Sequence, residues 1–314
     1  MSLAPLVSIS CITYNHVNFI RECLDGFLMQ KCNFDFEILI HDDASTDGTS
    51  DIIREYYDKY PNIIKPIIQV ENQWSRGIRK MTLTFNIPRA QGKYIAMCEG
   101  DDYWTDPLKL QKQVNFLENN TNYVLVGNLA SKIYESENFN TLHKPKIALN
   151  CDFDFDTKYL MLKNPISTLT VCFRNGLIKE FPEVYFQGSG GDRRLYMLLS
   201  QFGKCRYTQD VSGVYRIHSG GITNQHKGSY LKRIKGYEEY IKNTENWNTY
   251  FDNKYSNELL IAKHHYSVKI VELLFKNKMW HKTKPYLSHI NFTDLNFRTK
   301  IIYLLLKINS FLGH

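Results

Sequence analysis

The sequence predicts an α/β protein in which helices flank a mostly parallel central sheet. Apolar, strand-like runs alternate with segments whose apolar side chains recur at helical spacing, and polar clusters follow the runs. Strands that alternate with helices are typical of parallel sheets with right-handed crossovers. We expect the first four strands over residues 6–12, 36–40, 67–70 and 94–98.

The helices between and after these strands are predicted from apolar spacing and from capping residues. A helix is expected to begin at Pro107, with Asp106 as its N-cap. Other helices are expected over residues 19–27, from 49 onward, near 82–90, over 192–202, and throughout the chain from about residue 230. Further strand-like segments lie at 123–126 and 169–173.

Composition and charge narrow the class of protein. Hydrophobic residues make up 43% and aromatic residues 14% of 314 residues, which predicts a folded chain. The net charge of +7 is concentrated at the end, because residues 230–314 hold 14 of the 39 Lys and Arg but 7 of the 32 Asp and Glu. Such a tail suits an anionic membrane, or it is a solvated helix face. No DNA or RNA module is recognised, so nucleic acid is not an expected partner.

The cysteines and the apolar runs predict the compartment. Seven scattered cysteines without a CxxC pair fit reduced thiols. The beginning of the chain lacks a signal-peptide pattern, and the apolar run 301–306 is far shorter than the ~20 residues that span a bilayer. We therefore expect a cytoplasmic protein, either soluble or peripheral on the inner face of the cytoplasmic membrane.

Acidic residues directly follow the fourth predicted strand. Glu99, Asp101 and Asp102 gather carboxylates at the strand end with little to neutralise them. Hard oxygen ligands suit Mg²⁺ or Mn²⁺, which can bridge to a diphosphate. The alternative is an acidic turn or helix cap.

A second acidic pair follows the second predicted strand. Asp42 and Asp43 stand where acidic residues of dinucleotide folds hydrogen-bond a base or ribose. The alternative is again a capped turn, since Asp47 and Gly48 are typical turn residues. Ligands of parallel sheets bind at the carboxyl ends of the strands, so both clusters are expected at one edge.

Three segments, in this order and spacing, resemble the inverting glycosyltransferases of family 2, which have the GT-A fold. They are VSISCITYN at 7–15, EILIHDDASTDGT at 37–49 and AQGKYIAMCEGDD at 90–102. The segments 191–195 and 215–218 also resemble acceptor-side segments of this family. The resemblance covers residues 5–225 and implies a catalytic domain over 1–228 with a basic helical extension over 229–314.

The resemblance assigns a donor site and a metal site. Thr13, Tyr14 and Asn15 would line the nucleotide pocket, and Asp42 would contact the base with Asp43 beside it. The donor would also meet Glu99, Gly100, Asp101 and, at its diphosphate, Arg79. Asp101 would be the main metal ligand, assisted by Asp102, while Glu99 replaces the family's aspartate, so its contact with ribose or metal stays open. Arg79 is alternatively a surface charge.

The acceptor side holds the expected catalytic base. Asp192 begins a predicted helix, where amide dipoles favour a carboxylate able to accept a proton from an acceptor hydroxyl. The alternative is a simple N-cap. His218 would complete the metal site or touch the diphosphate, unless it is structural. Tyr103 and Trp104 would stack on a sugar, unless they pack in the core.

The end of the chain is predicted to be an amphipathic basic helix. Its apolar residues recur at helical spacing, with Arg298, Lys300 and Lys307 between them; they are Phe297, Ile301, Leu304, Leu305, Ile308, Phe311 and Leu312. This helix would pack on the catalytic domain, form a homodimer, or lie on an anionic membrane near a lipid-linked acceptor.

The function expected is transfer of a sugar from a nucleotide donor, UDP-linked, to a saccharide or lipid-linked saccharide acceptor. The alternative is a noncatalytic nucleotide-sugar-binding or scaffold protein of the same fold. Carboxylates for both metal and base separate the two, and Asp101, Asp102 and Asp192 are all present.

Overall fold

The computed structural model describes residues 4–139, 141, 143, 151–188, 190–221, 229–295 and 297–311. They form two compact units. The first holds most residues up to His218, and the second holds those beyond it together with short segments near 161–163 and 187–188. The expected domain boundary at 228/229 adjoins residues 222–228, which lie outside the described part of the chain.

The first unit is built on a nine-stranded sheet, counted over the described residues. The strands are β1 (Val7–Thr13), β2 (Phe36–Asp42), β3 (Ile64–Ile68), β4 (Tyr94–Met97), β5 (Tyr103–Trp104), β6 (Tyr123–Tyr134), β7 (Phe153–Phe155), β8 (Cys172–Arg174) and β9 (Lys204–Ile217). Their order is β3-β2-β1-β4-β8-β6-β9-β5, and β7 pairs with β9.

The sheet is parallel in one half and mixed in the other. β3, β2, β1 and β4 are all parallel, as expected. β8 runs antiparallel to both β4 and β6, and β5 and β7 run antiparallel to β9. β6 and β9 are parallel to each other, so the second half of the sheet departs from the predicted parallel arrangement.

Ten α-helices lie within the described residues. They are α1 (Ile20–Leu28), α2 (Thr49–Lys59), α3 (Lys109–Asn119), α4 (Thr157–Leu162), α5 (Glu183–Phe186), α6 (Gly191–Leu199), α7 (Tyr230–Tyr250), α8 (Ser256–Lys276), α9 (Lys284–Leu287) and α10 (Phe297–Phe311). The long helices match the expected segments to within a few residues. The expected N-cap at Asp106 is wrong, because α3 begins at Lys109 with Leu108 as its N-cap. Asp106 instead orders the preceding turn, where its Oδ1 accepts a hydrogen bond of 2.9 Å from the Leu108 amide.

The helix expected near 82–90 is a π-helical turn followed by a 3₁₀ turn, Thr82–Asn86 and Ile87–Arg89. Asn86 is fully buried, and its amide donates to Ser10 Oγ, Cys11 O and Leu39 O at 3.0–3.1 Å. These bonds tie the irregular turn to β1 and β2.

The core of the first unit lies between the parallel strands and their helices. Six of the seven β1 residues are buried, as expected for a strand covered on both faces. α1 buries Ile20, Cys23, Leu24 and Phe27 on one face. Its Gly26 lets β5 approach, because a Cβ there would lie 2.9 Å from the Trp104 amide nitrogen.

The second unit is helical, as predicted for the chain after residue 230. In α10, Ile302 and Leu306 are buried with residues of α8 and α9. Ile301, Leu304 and Leu305 are 44%, 49% and 46% exposed, so the predicted apolar stripe is not the face that packs within this unit. Among the described helices, none has the length and apolar character needed to cross a membrane.

Lys109, at the start of α3, is a buried cation and generates a stability prediction. It is 1% exposed, its Nζ donates to Gln113 Oε1 at 2.8 Å, and it lies 4.1 Å from the Trp104 ring centroid. Burial lowers the pKa of Lys109 to about 8. The folded state therefore binds fewer protons than the unfolded chain between this pH and the unfolded lysine pKa of about 10.4, so stability rises with pH there.

We expect Lys109→Met to raise the free energy of unfolding at pH 7 by about 1–3 kcal/mol, since it removes a buried charge at the cost of one hydrogen bond and the cation–π contact with Trp104. Urea denaturation from pH 7 to 10 measures this, and the rise with pH should flatten in the variant. Lys112→Met, at a half-exposed side chain, is the matched control. A less stable Lys109→Met protein with the pH slope unchanged would contradict this account.

Candidate functional site

The acidic loop after β4 is held against the end of β1. Main-chain hydrogen bonds from Cys98 to Ser10 (3.1 Å) and from Gly100 to Ile12 (2.9 Å) continue the pairing of β1 with β4 into the loop. A Cβ on Gly100 would lie 2.6 Å from Thr13 Oγ1, so only glycine permits this approach. The loop therefore presents its carboxylates at the carboxyl ends of the parallel strands.

Three carboxylates meet in this loop. Ligand oxygens of Glu99, Asp101 and Asp102 lie within 4.8 Å of one another. Burial, reinforced by the neighbouring carboxylates, raises the pKa of Asp102 well above its usual range and that of Glu99 to about 8. Asp101 Oδ1 and Asp102 Oδ2 are buried without a hydrogen-bond partner. These orphaned oxygens fit a divalent cation that accepts hard oxygen ligands.

The end of β9 supplies an imidazole and a guanidinium to the cluster. His218 Nε2 lies 3.0 Å from Asp101 Oδ2. Burial alone would raise the pKa of Asp101, but this hydrogen bond and the nearby imidazoles lower it. The Arg216 amide donates to Asp102 Oδ1 at 2.8 Å, and its guanidinium donates to the Asp101 carbonyl at 2.7 Å and pairs with Glu22. β9 thus offsets part of the buried negative charge.

A second histidine enters from the loop after β1. His16 Nε2 lies 3.9 Å from Asp101 Oδ2, and its Nδ1 lies 3.0 Å from Thr13 Oγ1. Burial lowers the pKa of His16 despite the opposing effect of Asp101. Ligand atoms of His16, Asp101 and His218 also lie within 4.8 Å of one another. Asp101 is therefore shared by an all-oxygen triad and a triad with two imidazoles.

The loops after β1 and β2 are tied to each other. Asn15 has a left-handed backbone (φ 55°), its Oδ1 accepts from the Thr46 amide at 2.9 Å, and its own amide donates to Ser45 Oγ at 2.8 Å. Thr13 is buried, whereas Tyr14 is 44% exposed. Tyr14 therefore offers an exposed aromatic ring to a ligand in the expected nucleotide pocket.

Asp42 and Asp43 organise their loops. Asp42 has no exposed surface, and its two carboxylate oxygens accept hydrogen bonds from Ser45 and Ser50. Asp43 accepts from the amides of Gln73 (2.6 Å) and Trp74 (3.0 Å). The base contact expected of Asp42 stays a prediction, and it requires a rearrangement that exposes this buried carboxylate.

Arg79 belongs to the loop that Asp43 anchors. Its guanidinium carbon lies 4.3 Å from the centroid of the Trp74 ring, and the guanidinium donates to the Trp74 carbonyl. The side chain is exposed, and the described residues show no contact between it and the acidic cluster. Its contact with a diphosphate stays a prediction.

Asp192 lies in the first turn of α6, after the N-cap Gly190. The N-cap alternative is therefore wrong for Asp192. Its Oδ2 accepts hydrogen bonds from Asn164 Nδ2 (3.2 Å) and Thr168 Oγ1 (3.4 Å). After burial and Asp101, the charge of Asp192 also helps to raise the pKa of Glu99.

Lys80 lies beside the start of α6, where a Cβ on Gly191 would be 3.4 Å from its Nζ. Burial and Arg194 lower the pKa of Lys80 to about 8, against the opposing charge of Asp192. The structure therefore adds a partly buried amine to the neighbourhood of the expected base.

The two aromatic residues after the acidic loop differ in their surroundings. Trp104 is 2% exposed, its Nε1 donates to the Leu169 carbonyl at 2.7 Å, and its ring packs on Phe27. This packing corrects the expectation that Trp104 stacks on a sugar, because neither ring face is open. Tyr103 is partly exposed, with the Arg216 guanidinium 4.3 Å from its ring centroid, and its stacking role stays a prediction.

Three residues at the site were not assigned a role from the sequence: His16, Arg216 and Lys80. His16 directly follows the TYN segment and Arg216 precedes His218 by two residues, so both carried a positional signal. Lys80 carried none, because a lone lysine in a loop does not differ from a surface charge.

The sequence and structure were compared with known proteins. The model of glycosyl transferase family 2 matches residues 8–181 of the 314. Rv1520, an uncharacterized protein of Mycobacterium tuberculosis, is 34% identical over 232 residues, 74% of this chain and 64% of that protein. The chain thus spans less than two thirds of this relative's length.

A functionally named relative is WfaP of Escherichia coli, a UDP-Glc:alpha-D-GlcNAc-diphosphoundecaprenol beta-1,3-glucosyltransferase. It is 28% identical over 222 residues, 69% of this chain and 80% of WfaP. Among solved structures, the mannosyltransferase PcManGT of Pyrobaculum calidifontis, in complex with GDP-Man and Mn²⁺, has a TM-score of 0.53 at 14% identity. That superposition covers 99% of this chain and 88% of PcManGT and supports the fold alone.

The fold is that of the GT-A class. The chain belongs to glycosyl transferase family 2.

The unpartnered carboxylate oxygens generate a prediction for cation binding. We expect saturating Mn²⁺ to raise the melting temperature of the protein by several degrees, since a ligand at about 100 times its Kd stabilises by about 2.7 kcal/mol. Asp101→Asn should abolish this shift, because it removes the carboxylate that both triads share.

Differential scanning fluorimetry with and without Mn²⁺ measures both effects. Asp51→Asn, at an exposed aspartate of α2, is the control and should keep the full shift. An Asp101→Asn protein that still responds to Mn²⁺ like the wild type would place the cation elsewhere.

Proposed function

We propose that this protein transfers a sugar from a nucleotide-diphosphate donor, UDP-linked, to a saccharide or lipid-linked saccharide by a metal-dependent, inverting displacement. The observation that carries this proposal is the convergence at Asp101 of the loops after β1 and β4 with the end of β9. The donor and acceptor for which WfaP is named, UDP-Glc and a GlcNAc-diphosphoundecaprenol, support the two substrate classes.

Asp101 and Asp102 would hold the cation, Mn²⁺ or Mg²⁺, through their unpartnered oxygens, with His218 alongside. A bound divalent cation stabilises the negative charge of a departing nucleoside diphosphate. The Mn²⁺ in the PcManGT complex is consistent with this choice of cofactor. Tyr14, the exposed ring beside the strand ends, would stack on the base.

Asp192 would act as the base. Its two hydrogen bonds from Asn164 and Thr168 both reach Oδ2, so they orient the carboxylate and leave Oδ1 to accept a proton. The acceptor hydroxyl would lose its proton to Oδ1 as its oxygen bonds to the anomeric carbon. The bond from that carbon to the diphosphate breaks on the opposite face, which inverts the configuration.

The two parts of the chain would have different roles. Residues 1–228 would form the catalytic domain, and residues 229–314 would be a helical extension. Ile301, Leu304 and Leu305 of α10 are nearly half exposed, and Lys307 beside them is exposed too. An apolar stripe next to lysines suits the surface of an anionic membrane, and such contact would bring the enzyme to a lipid-linked acceptor at the cytoplasmic face.

We expect Asp192→Asn to lower kcat by a factor of about 10²–10⁴, because the amide cannot take the proton, while the donor Kd changes less than about twofold. Turnover assays and calorimetric titration with the UDP-sugar measure the two quantities. Asp58→Asn, at an exposed aspartate of α2, is the control and should behave as the wild type. An active Asp192→Asn enzyme would remove the base assignment, and donor binding without turnover in the wild type would favour the noncatalytic alternative.

The membrane contact is tested by the double substitution Leu304→Gln and Leu305→Gln. We expect co-sedimentation with phosphatidylglycerol vesicles to fall at least about tenfold, since transfer of each leucine contributes on the order of 1–2 kcal/mol. The pair Leu260→Gln and Ile261→Gln, exposed on α8, is the matched control. Unchanged sedimentation of the α10 variant would exclude this stripe as the membrane contact, and a loss of dimer mass in the same variant would instead identify a homodimer interface.

A further inference from the structure

We propose that His16 joins His218 and Asp101 as a ligand of the same cation, and that these two imidazoles make the site select Mn²⁺ over Mg²⁺. This inference rests on the metal-dependent function proposed above and adds to it the residue that decides the metal.

The positions of the three side chains fit a single ion. Asp101 Oδ2 lies 3.0 Å from His218 Nε2 and 3.9 Å from His16 Nε2. Ligands about 2.0–2.2 Å from one metal lie roughly 3–4.4 Å from one another, so these separations suit a shared ion. Asp101 Oδ1, buried and without a partner, is a second observation that indicates a missing positive group.

His16 is held in the orientation that metal-binding histidines adopt. Its Nδ1 lies 3.0 Å from Thr13 Oγ1, and its amide donates to Thr49 Oγ1 at 2.9 Å, which fixes the loop. Metal-ligating imidazoles commonly engage their second nitrogen with a hydrogen-bond partner in this way, which directs the other nitrogen to the ion. Thr13 is therefore a positioning residue, which orients the His16 ring toward the ion.

A hydrogen bond alone does not explain where His16 points. The distance of 3.9 Å from Nε2 to Asp101 is too long for one, and the described residues provide no other partner for this nitrogen. Gly100 preserves the arrangement, because a Cβ there would lie 3.1 Å from His16 Nδ1. The acidic loop is thus shaped to receive this imidazole.

The choice of metal follows from the atoms of the two triads. Glu99, Asp101 and Asp102 offer oxygen alone, which suits Mg²⁺ and Mn²⁺ alike. Adding two imidazole nitrogens favours a transition-metal ion, since Mg²⁺ prefers oxygen and keeps its waters. Removing His16 should therefore weaken Mn²⁺ much more than Mg²⁺.

The test is cation binding to the full chain without donor, measured by calorimetry with Mn²⁺ and, separately, with Mg²⁺. We expect His16→Asn to raise the Kd for Mn²⁺ at least about tenfold, within the range seen for altered metal sites, and to change the Kd for Mg²⁺ less than about twofold. His289→Asn, at an exposed histidine of the second unit, is the control and should change neither. Equal losses for both ions, or no loss for Mn²⁺, would overturn the inference.

Pulsed electron paramagnetic resonance of Mn²⁺ bound to the wild-type protein gives a second readout that does not depend on how a variant folds. We expect nitrogen couplings from two imidazoles, falling to one in His16→Asn. One imidazole in the wild type would overturn the role of His16 while leaving the proposed transfer intact. Two imidazoles in a protein that transfers no sugar would instead overturn the proposed function and leave the metal site standing.

Discussion

The structure depends on how the buried carboxylates of Asp101 and Asp102 are neutralised at the end of β4. An uncompensated buried charge destabilises a protein by several kcal/mol. One carboxylate oxygen of Asp101 and one of Asp102 have no hydrogen-bond partner. Arg216 and His218 satisfy the other two. The protein therefore leaves one oxygen of each carboxylate to be satisfied by a proton or by a bound cation.

The fold brings these groups together through the two halves of its sheet. The parallel half places the loops after β1, β2 and β4 along one edge, where Thr13, Asp42 and Asp101 follow their strands. The mixed half places Arg216 and His218 beside the acidic loop, because β5, which directly follows this loop, pairs with β9. The same pairing places Trp104 against Gly26, so this side chain, two residues after Asp102, packs in the core.

The parallel half and the acidic cluster were predictable because their signals are local. An apolar strand followed by Glu99, Asp101 and Asp102 needs no distant partner to be recognised. The mixed half was not predictable, because β9 includes the exposed residues Asp210 and Val211 and takes its register from β6. Likewise, no pattern shows that Asp42 is enclosed by Ser45 and Ser50, or that His16 faces Asp101, since both depend on tertiary packing.

A crystal soaked with UDP and Mn²⁺, with anomalous data collected at the manganese edge, tests the cation site most directly. We predict a manganese peak about 2.0–2.3 Å from a carboxylate oxygen of Asp101, with diphosphate oxygens completing its shell. Manganese bound away from this loop, with the Asp101 carboxylate still paired with His218 and His16, would contradict it.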